Sequence, residues 1–156
     1  LTGHLVFSTI HTNSAWGSVS RLRDMGVHPY LLSGTLILCA AQRLVRLLCP
    51  DCKREAELTA TEREQVYGEN PATDSNAGHY RSIGCERCYY TGYRGRRAIY
   101  EVIPIDDELA EAVRESCPDI APLLEKRGIT TLKDSALDLF LSGQTSLEEV
   151  LPLLRE

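Results

Sequence analysis

The fold class this sequence predicts is α/β, with a small metal-stapled insert and an all-helical tail, and three observations predict it. A short, nearly continuous apolar run, His4 to Thr9, leads through a polar turn into an amphipathic segment. That is the order of a buried strand followed by a helix. Two Cys-x-x-Cys pairs, Cys49/Cys52 and Cys85/Cys88, flank a stretch in which helical periodicity fades. Past Pro104, residues that cap helices recur ahead of one apolar-periodic segment after another. The expected segments are 1–48, 49–103 and 104–156.

The elements follow in chain order. "HLVFST" reads as the buried strand. Asn13 or Ser14 can then cap a helix in which Ala15, Val19 and Leu22 share a face and Gly26 is the stop. Strand, polar turn and helix start together let backbone N–H groups face an anion. "HPYLLSGTLILCAAQRLVRLL" reads as a second, buried helix with Pro29 in its first turn. Arg43 and Arg46, three apart, would be neighbours on its polar side. "HYRSI" and "AIYEV" read as short strands on either side of the second cysteine pair, after the turn-rich loop Glu69 to Gly78. In the tail Asp106 and Asp119 are candidate caps. Thr131 with Asp134, and Thr145 with Glu148, have capping-box spacing. Gly143 separates the last two helices, and Pro152 is expected to kink or end the final one.

Composition bounds the function. The 156 residues are 43% hydrophobic and 25% charged, globular values for about one domain and a small insert. The net charge is −5, with arginines prominent early and acidic residues concentrated after residue 105. A general nucleic-acid binder needs a basic stripe, so no nucleic-acid partner is expected. The longest apolar stretch, Pro29 to Ala41, is too short to span a bilayer. The chain opens on an apolar run without a methionine, so a soluble piece of something larger is expected.

The cysteines carry the sharpest local signal. A Cys-x-x-Cys turn sets two thiolates on one side of a tight loop, and two such turns supply four soft donors for tetrahedral zinc. Four protein ligands leave no position for water, so the zinc expected on Cys49, Cys52, Cys85 and Cys88 is structural. The 32 residues between the pairs exceed the compact range, and His79 is near enough to be an alternative ligand. Gly84, Gly92 and Gly95 suit close turns, and Cys39 and Cys117 read as packed thiols.

"LTGHLVFSTIHTNSA" resembles the histidine box of the secretion-type motor ATPases, those of type II secretion and of type IV pili. "RLRDMGVHPYLL", "AAQRLVRLLCPDC", "GCERCYYTGYRGRRAIYEV" and "GQTSLEEVL" continue the resemblance in the same order. It implies the C-terminal portion of a RecA-like P-loop core in segment 1–48, followed by a tetracysteine zinc subdomain and a helical subdomain. His11 would be the nucleotide sensor, His4 would stand at the strand's start, and Thr12 and Arg43 would lie beside the nucleotide. The resemblance further implies a homo-hexamer using ATP and magnesium, in the cytoplasm at the inner face of the membrane, docked on inner-membrane platform proteins. The chain has no G-x-x-x-x-G-K-[ST] loop. In the family that loop and the Walker B acid lie upstream of the histidine box, so this chain is not expected to hydrolyse ATP alone. Two other readings stay open: a zinc-ribbon nucleic-acid module, with Tyr89, Tyr90 and Tyr93 beside Arg94, Arg96 and Arg97, and a zinc-dependent interaction domain.

Overall fold

The computed structural model describes residues 3–68, 79–117 and 119–155. It is a mixture of helices and strands. In order these are α1 (Gly17–Asp24), α2 (Pro29–Thr35), β1 (Leu38–Leu48), β2 (Arg54–Glu55) and α3 (Ala60–Tyr67). Then come β3 (Tyr80–Arg81), a 3-10 turn (Glu86–Cys88), β4 (Tyr93–Pro104), α4 (Asp107–Glu115), α5 (Ala121–Lys126), α6 (Leu132–Leu141) and α7 (Leu147–Leu154). Among the described residues β1 pairs with β4 and β2 with β3. The Ile105 amide donates to Ile37 O at 2.8 Å and the Cys49 amide to Gly92 O at 2.9 Å. Each start of one strand therefore lies by the end of the other, and β1 and β4 run antiparallel.

Two expectations fail, each for a physical reason. The run His4 to Thr9 is neither strand nor buried: Leu5, Val6 and Phe7 are 69%, 76% and 89% exposed. A strand exists only through hydrogen bonds to a neighbour, and neither described sheet includes this segment. The long second helix is also wrong. Helix α2 ends at Thr35, and Leu38–Leu48 is a strand that buries Cys39, Ala41, Val45 and Leu48. Ala, Leu, Gln and Arg favour helix intrinsically. Pairing with the β-branched and aromatic run in β4 overrides that preference, and a continuous apolar run cannot by itself tell strand from helix. Arg43 and Arg46 are consequently not helix neighbours; they lie on opposite faces of β1.

Contacts divide the chain into two units, Leu1–Ala41 with Glu101–Ile129, and Gln42–Tyr100 with Thr130–Glu156. This partition follows different lines from the three consecutive segments expected. In the first unit α2 packs on α4, whose buried Leu109, Ala112 and Val113 recur at helical spacing. Asp106 caps α4, accepting from the Leu109 amide at 2.9 Å. It also receives Arg127 Nε at 2.8 Å. The Arg127 side chain, together with the cap bond, holds the Asp106 carboxyl down at about 2. Asp119 accepts from the Ala121 amide at 2.9 Å at the head of α5. Ser14 contributes to the start of α1 by accepting from the Gly17 amide at 3.1 Å, although the helix begins three residues beyond it.

In the second unit α7 packs on α6 and α3. Thr59 with Glu62, and Thr131 with Asp134, form reciprocal capping boxes at the heads of α3 and α6. Thr145 and Glu148 do not form one. Helix α7 starts one residue later, behind Ser146. The Thr145 hydroxyl instead donates to Arg46 O at 2.7 Å. Helix α7 continues two residues past Pro152 before ending at Leu154. No described helix is long and apolar enough to cross a membrane.

Candidate functional site

Strand β1 delivers Cys49 at its end. The chain turns at once, with the Lys53 amide on Cys49 O at 3.0 Å. The second pair sits in a tighter loop, where the amides of Cys88 and Tyr90 both donate to Cys85 O, at 3.1 and 2.8 Å. Tyr89 and Tyr90 follow with φ of 52° and 61°. Glycine is needed at two positions. At Gly84 (φ +109°) a Cβ would lie 2.7 Å from Tyr90 O, and at Gly92 (φ +78°) 2.5 Å from Ser82 Cβ. A side chain at either would push the backbone of the loop apart.

These turns bring the four predicted cysteines together. Their sulfurs all lie within 4.8 Å of one another, with Cys49–Cys85 at 4.0 Å, Cys52–Cys88 at 3.8 Å and Cys85–Cys88 at 3.7 Å. A tetrahedron with Zn–S bonds of ~2.3 Å has an edge of ~3.8 Å, so the donor set fits that ion in both chemistry and size. All six cysteines are free thiols. Burial pushes the Cys88 thiol up, but the amides of Cys85 and Gly92, donating to its sulfur at 3.2 and 3.3 Å, hold it down at about 6. Amide donors of this kind favour thiolate, the form that binds metal. His79 is not part of the cluster. Its ring stacks on Phe140 with centroids 5.0 Å apart and its Nε2 lies 3.4 Å from the Tyr67 hydroxyl. Cys39 is buried, as expected of a packed thiol, and burial pushes its pKa up.

Residues 143–149 strap the knuckle in place. The Leu48 amide donates to Gln144 O at 2.8 Å, and Lys53 Nζ to Gly143 O at 2.7 Å. The Tyr93 hydroxyl meets Ser146 Oγ at 2.6 Å. Arg46 is held by Glu149 through its backbone amide and its guanidinium, and lies 4.2 Å from the centroid of the Tyr93 ring. Asp51, within the first cysteine turn, accepts from Arg87 of the second at 3.1 Å and has Arg94 at 3.8 Å. Arg97 donates to the Gln144 side chain at 2.7 Å. Sequence reading names Arg46, Arg94 and Arg97 but neither Arg87 nor the acidic and amide partners, because the partners lie 36 to 103 positions away.

The histidine turn belongs to the other unit. His4 and His11 are exposed and Thr12 is half-buried, its hydroxyl donating to Ser14 O at 3.0 Å. Arg43 lies in β1 within the cysteine-bearing unit, so the structure does not gather it with His4, His11 and Thr12 in one unit. The functional reading of the sequence also missed Glu101, which is 5% exposed and accepts from the Ala15 amide at 2.7 Å. The available signal was an acidic residue at an inward position of the alternating run "AIYEVI".

Comparison with known proteins supplies the family. The chain matches the type II/IV secretion system protein family over residues 1–152, and it belongs to that family. It is 46% identical over 157 residues to the type II secretion system protein E of Aeromonas hydrophila, covering all of this chain and 31% of that protein. It is 44% identical over 161 residues to the type II secretion system ATPase E of Vibrio cholerae, again covering all of this chain and 31% of the relative. The type IV pilus assembly ATPase PilB of Thermus thermophilus is 42% identical over 153 residues, 97% of this chain and 17% of that protein. The chain thus spans about a third of the length of its secretion relatives, and less of the pilus ATPase.

Proposed function

We propose that this chain is the C-terminal part of a cytoplasmic, hexameric ATPase that powers type II protein secretion or type IV pilus assembly at the inner face of the cytoplasmic membrane. The observation that carries this reading is the match along the whole chain to relatives named as a secretion ATPase and a pilus assembly ATPase. Segment 1–48 then ends a RecA-like core, and 49–103 is a zinc subdomain built on Cys49, Cys52, Cys85 and Cys88. Segment 104–156 is a helical subdomain. The phosphate-gripping loop and the magnesium-orienting acid belong to the part of the longer protein outside this chain. Isolated, the chain is inactive.

His11 serves as the nucleotide sensor beside Thr12, with His4 as a further member of that turn, and Arg43, which belongs to the other unit, is a separate candidate for nucleotide contact in the full-length protein. A ring nitrogen near the terminal phosphate can hold a hydrogen bond that exists only in the triphosphate state. Zinc, when bound, supplies a closed four-thiolate clamp and no reaction chemistry. The protein would dock on inner-membrane platform proteins. Of the three arginines in the nucleic-acid reading, Arg94 lies 3.8 Å from Asp51 and Arg97 donates to Gln144, so two of them already face partners within the unit, which weighs against that reading. In the full-length protein, His11→Ala should cut ATP turnover while leaving zinc content and fold intact. Unchanged turnover at saturating ATP would remove the sensor assignment.

A further inference from the structure

We infer that Glu101 is a positioning residue for the histidine turn, its buried carboxylate gripping the Ala15 amide and so fixing the loop that carries His11 and Thr12. This rests on the sensor reading of His11 given above. Strand β4 buries Ile99, Glu101 and Ile103 in alternation. The middle position of an apolar face is thus occupied by an acid, which is costly to bury unless it is hydrogen-bonded. Glu101 Oε1 accepts from Ala15 N at 2.7 Å across 86 positions of sequence. Ala15 is itself fully buried.

From that anchor the turn is tied residue by residue. The Thr12 hydroxyl donates to Ser14 O at 3.0 Å, and Ser14 Oγ accepts from the Gly17 amide at 3.1 Å. The Ser18 hydroxyl donates to Ala15 O at 2.6 Å. Gly17 fits closely against this turn, since a Cβ there would lie 3.1 Å from Ser14 Oγ and 3.5 Å from Thr12 Cβ. Helix α1 has no side-chain bond from its own N-cap residue, Trp16. The acid of β4 thus takes an amide just outside the helix start, where a negative group is also favoured by the helix dipole. These local bonds link the residues of the turn to one another, and Glu101 connects it to the strand.

The test uses the full-length protein with ATP turnover as readout, zinc content and thermal midpoint as checks of fold, and amide exchange of residues 10–18. Glu101→Ala should lower kcat by roughly 10- to 100-fold, the scale of a misplaced reacting group, and speed exchange in the turn. Glu101→Gln keeps an acceptor of the same reach, so it should restore most of the turnover with an unchanged pH profile. The double variant with His11→Ala should be no slower than His11→Ala alone, because Glu101 acts through the turn. Should Glu101→Ala not fold, Glu101→Asp, one methylene too short to reach Ala15, takes its place. Equal damage from Gln and Ala, or losses that multiply in the double variant, overturn the inference. If His11→Ala turns over ATP normally, the sensor reading fails. If His11→Ala is slow while Glu101→Ala runs at the parental rate, only the positioning role fails.

Discussion

The cysteine knuckle and the histidine turn are the two regions of this chain with recognisable chemistry, and they are organised in opposite ways. The knuckle is closed on itself. Its four sulfurs meet at metal-binding distances, backbone amides support Cys88, and residues 143–149 hold it by hydrogen bonds from Leu48 and Lys53. The histidine turn is open: the apolar run before it is exposed, His11 is exposed, and Glu101 ties the turn to β4 from behind. A site whose donors come from two short loops can be complete within one unit. On the sensor role proposed for His11, the turn must receive a ligand, which calls for an accessible reacting group with its support placed behind it.

Three perturbations sharpen that contrast, in decreasing order of effect. Replacing Cys85 by Ser should abolish stoichiometric zinc and unfold the knuckle, since structural zinc contributes on the order of 10 kcal/mol to small metal-folded domains. Metal content and thiol alkylation read this directly. Full retention of metal would mean that four-thiolate ligation is wrong. The first unit, which contains none of the four cysteines, should keep its helical signal.

Gly92→Ala tests the close approach in the knuckle without removing a cysteine. The new Cβ would meet Ser82 Cβ at 2.5 Å at a φ of +78°. Steric strain and overpacking together should cost about 3 kcal/mol. A denaturant midpoint unchanged from the parent chain would show that the loop relaxes freely. The same substitution at Gly26 (φ +89°), which has no heavy atom within 4 Å of the added Cβ, should cost less.

The smallest effect belongs to the first unit and appears only in acid. The Asp106 carboxyl sits at about 2 in the folded protein, below its ordinary value of ~3.9, chiefly because of Arg127. A depressed carboxyl adds stability above its unfolded pKa and loses it as the pH falls through the folded one. Unfolding midpoints of the parent should therefore decline between about pH 4 and pH 2, and Asp106→Asn should flatten that part of the curve. Identical acid limbs for the two proteins would rule out this contribution.

Legibility in the sequence followed the range of the interactions. Asp106 ahead of α4 and Thr131 with Asp134 ahead of α6 act within four residues, and both caps form as the sequence reads. The cysteine pairs were legible because Cys-x-x-Cys spacing is itself a local geometry, although the meeting of Cys49 with Cys85 spans 36 positions. β1 was misread because "LCAAQRLVRLL" is locally a good helix, and only β4, which pairs with it, makes it a strand. Thr145 had the spacing of a cap and was drawn instead to Arg46 O.

By itself the sequence determined the caps of α4 and α6, the turn glycines, the cluster-forming cysteines and the family, because each depends on residue types at short, fixed spacing. Only the tertiary structure decided that residues 38–48 extend, that residues 4–9 lie exposed, and that Glu101 reaches Ala15. Strand pairing and burial depend on which distant segment arrives as a neighbour, and no local window of sequence contains that neighbour.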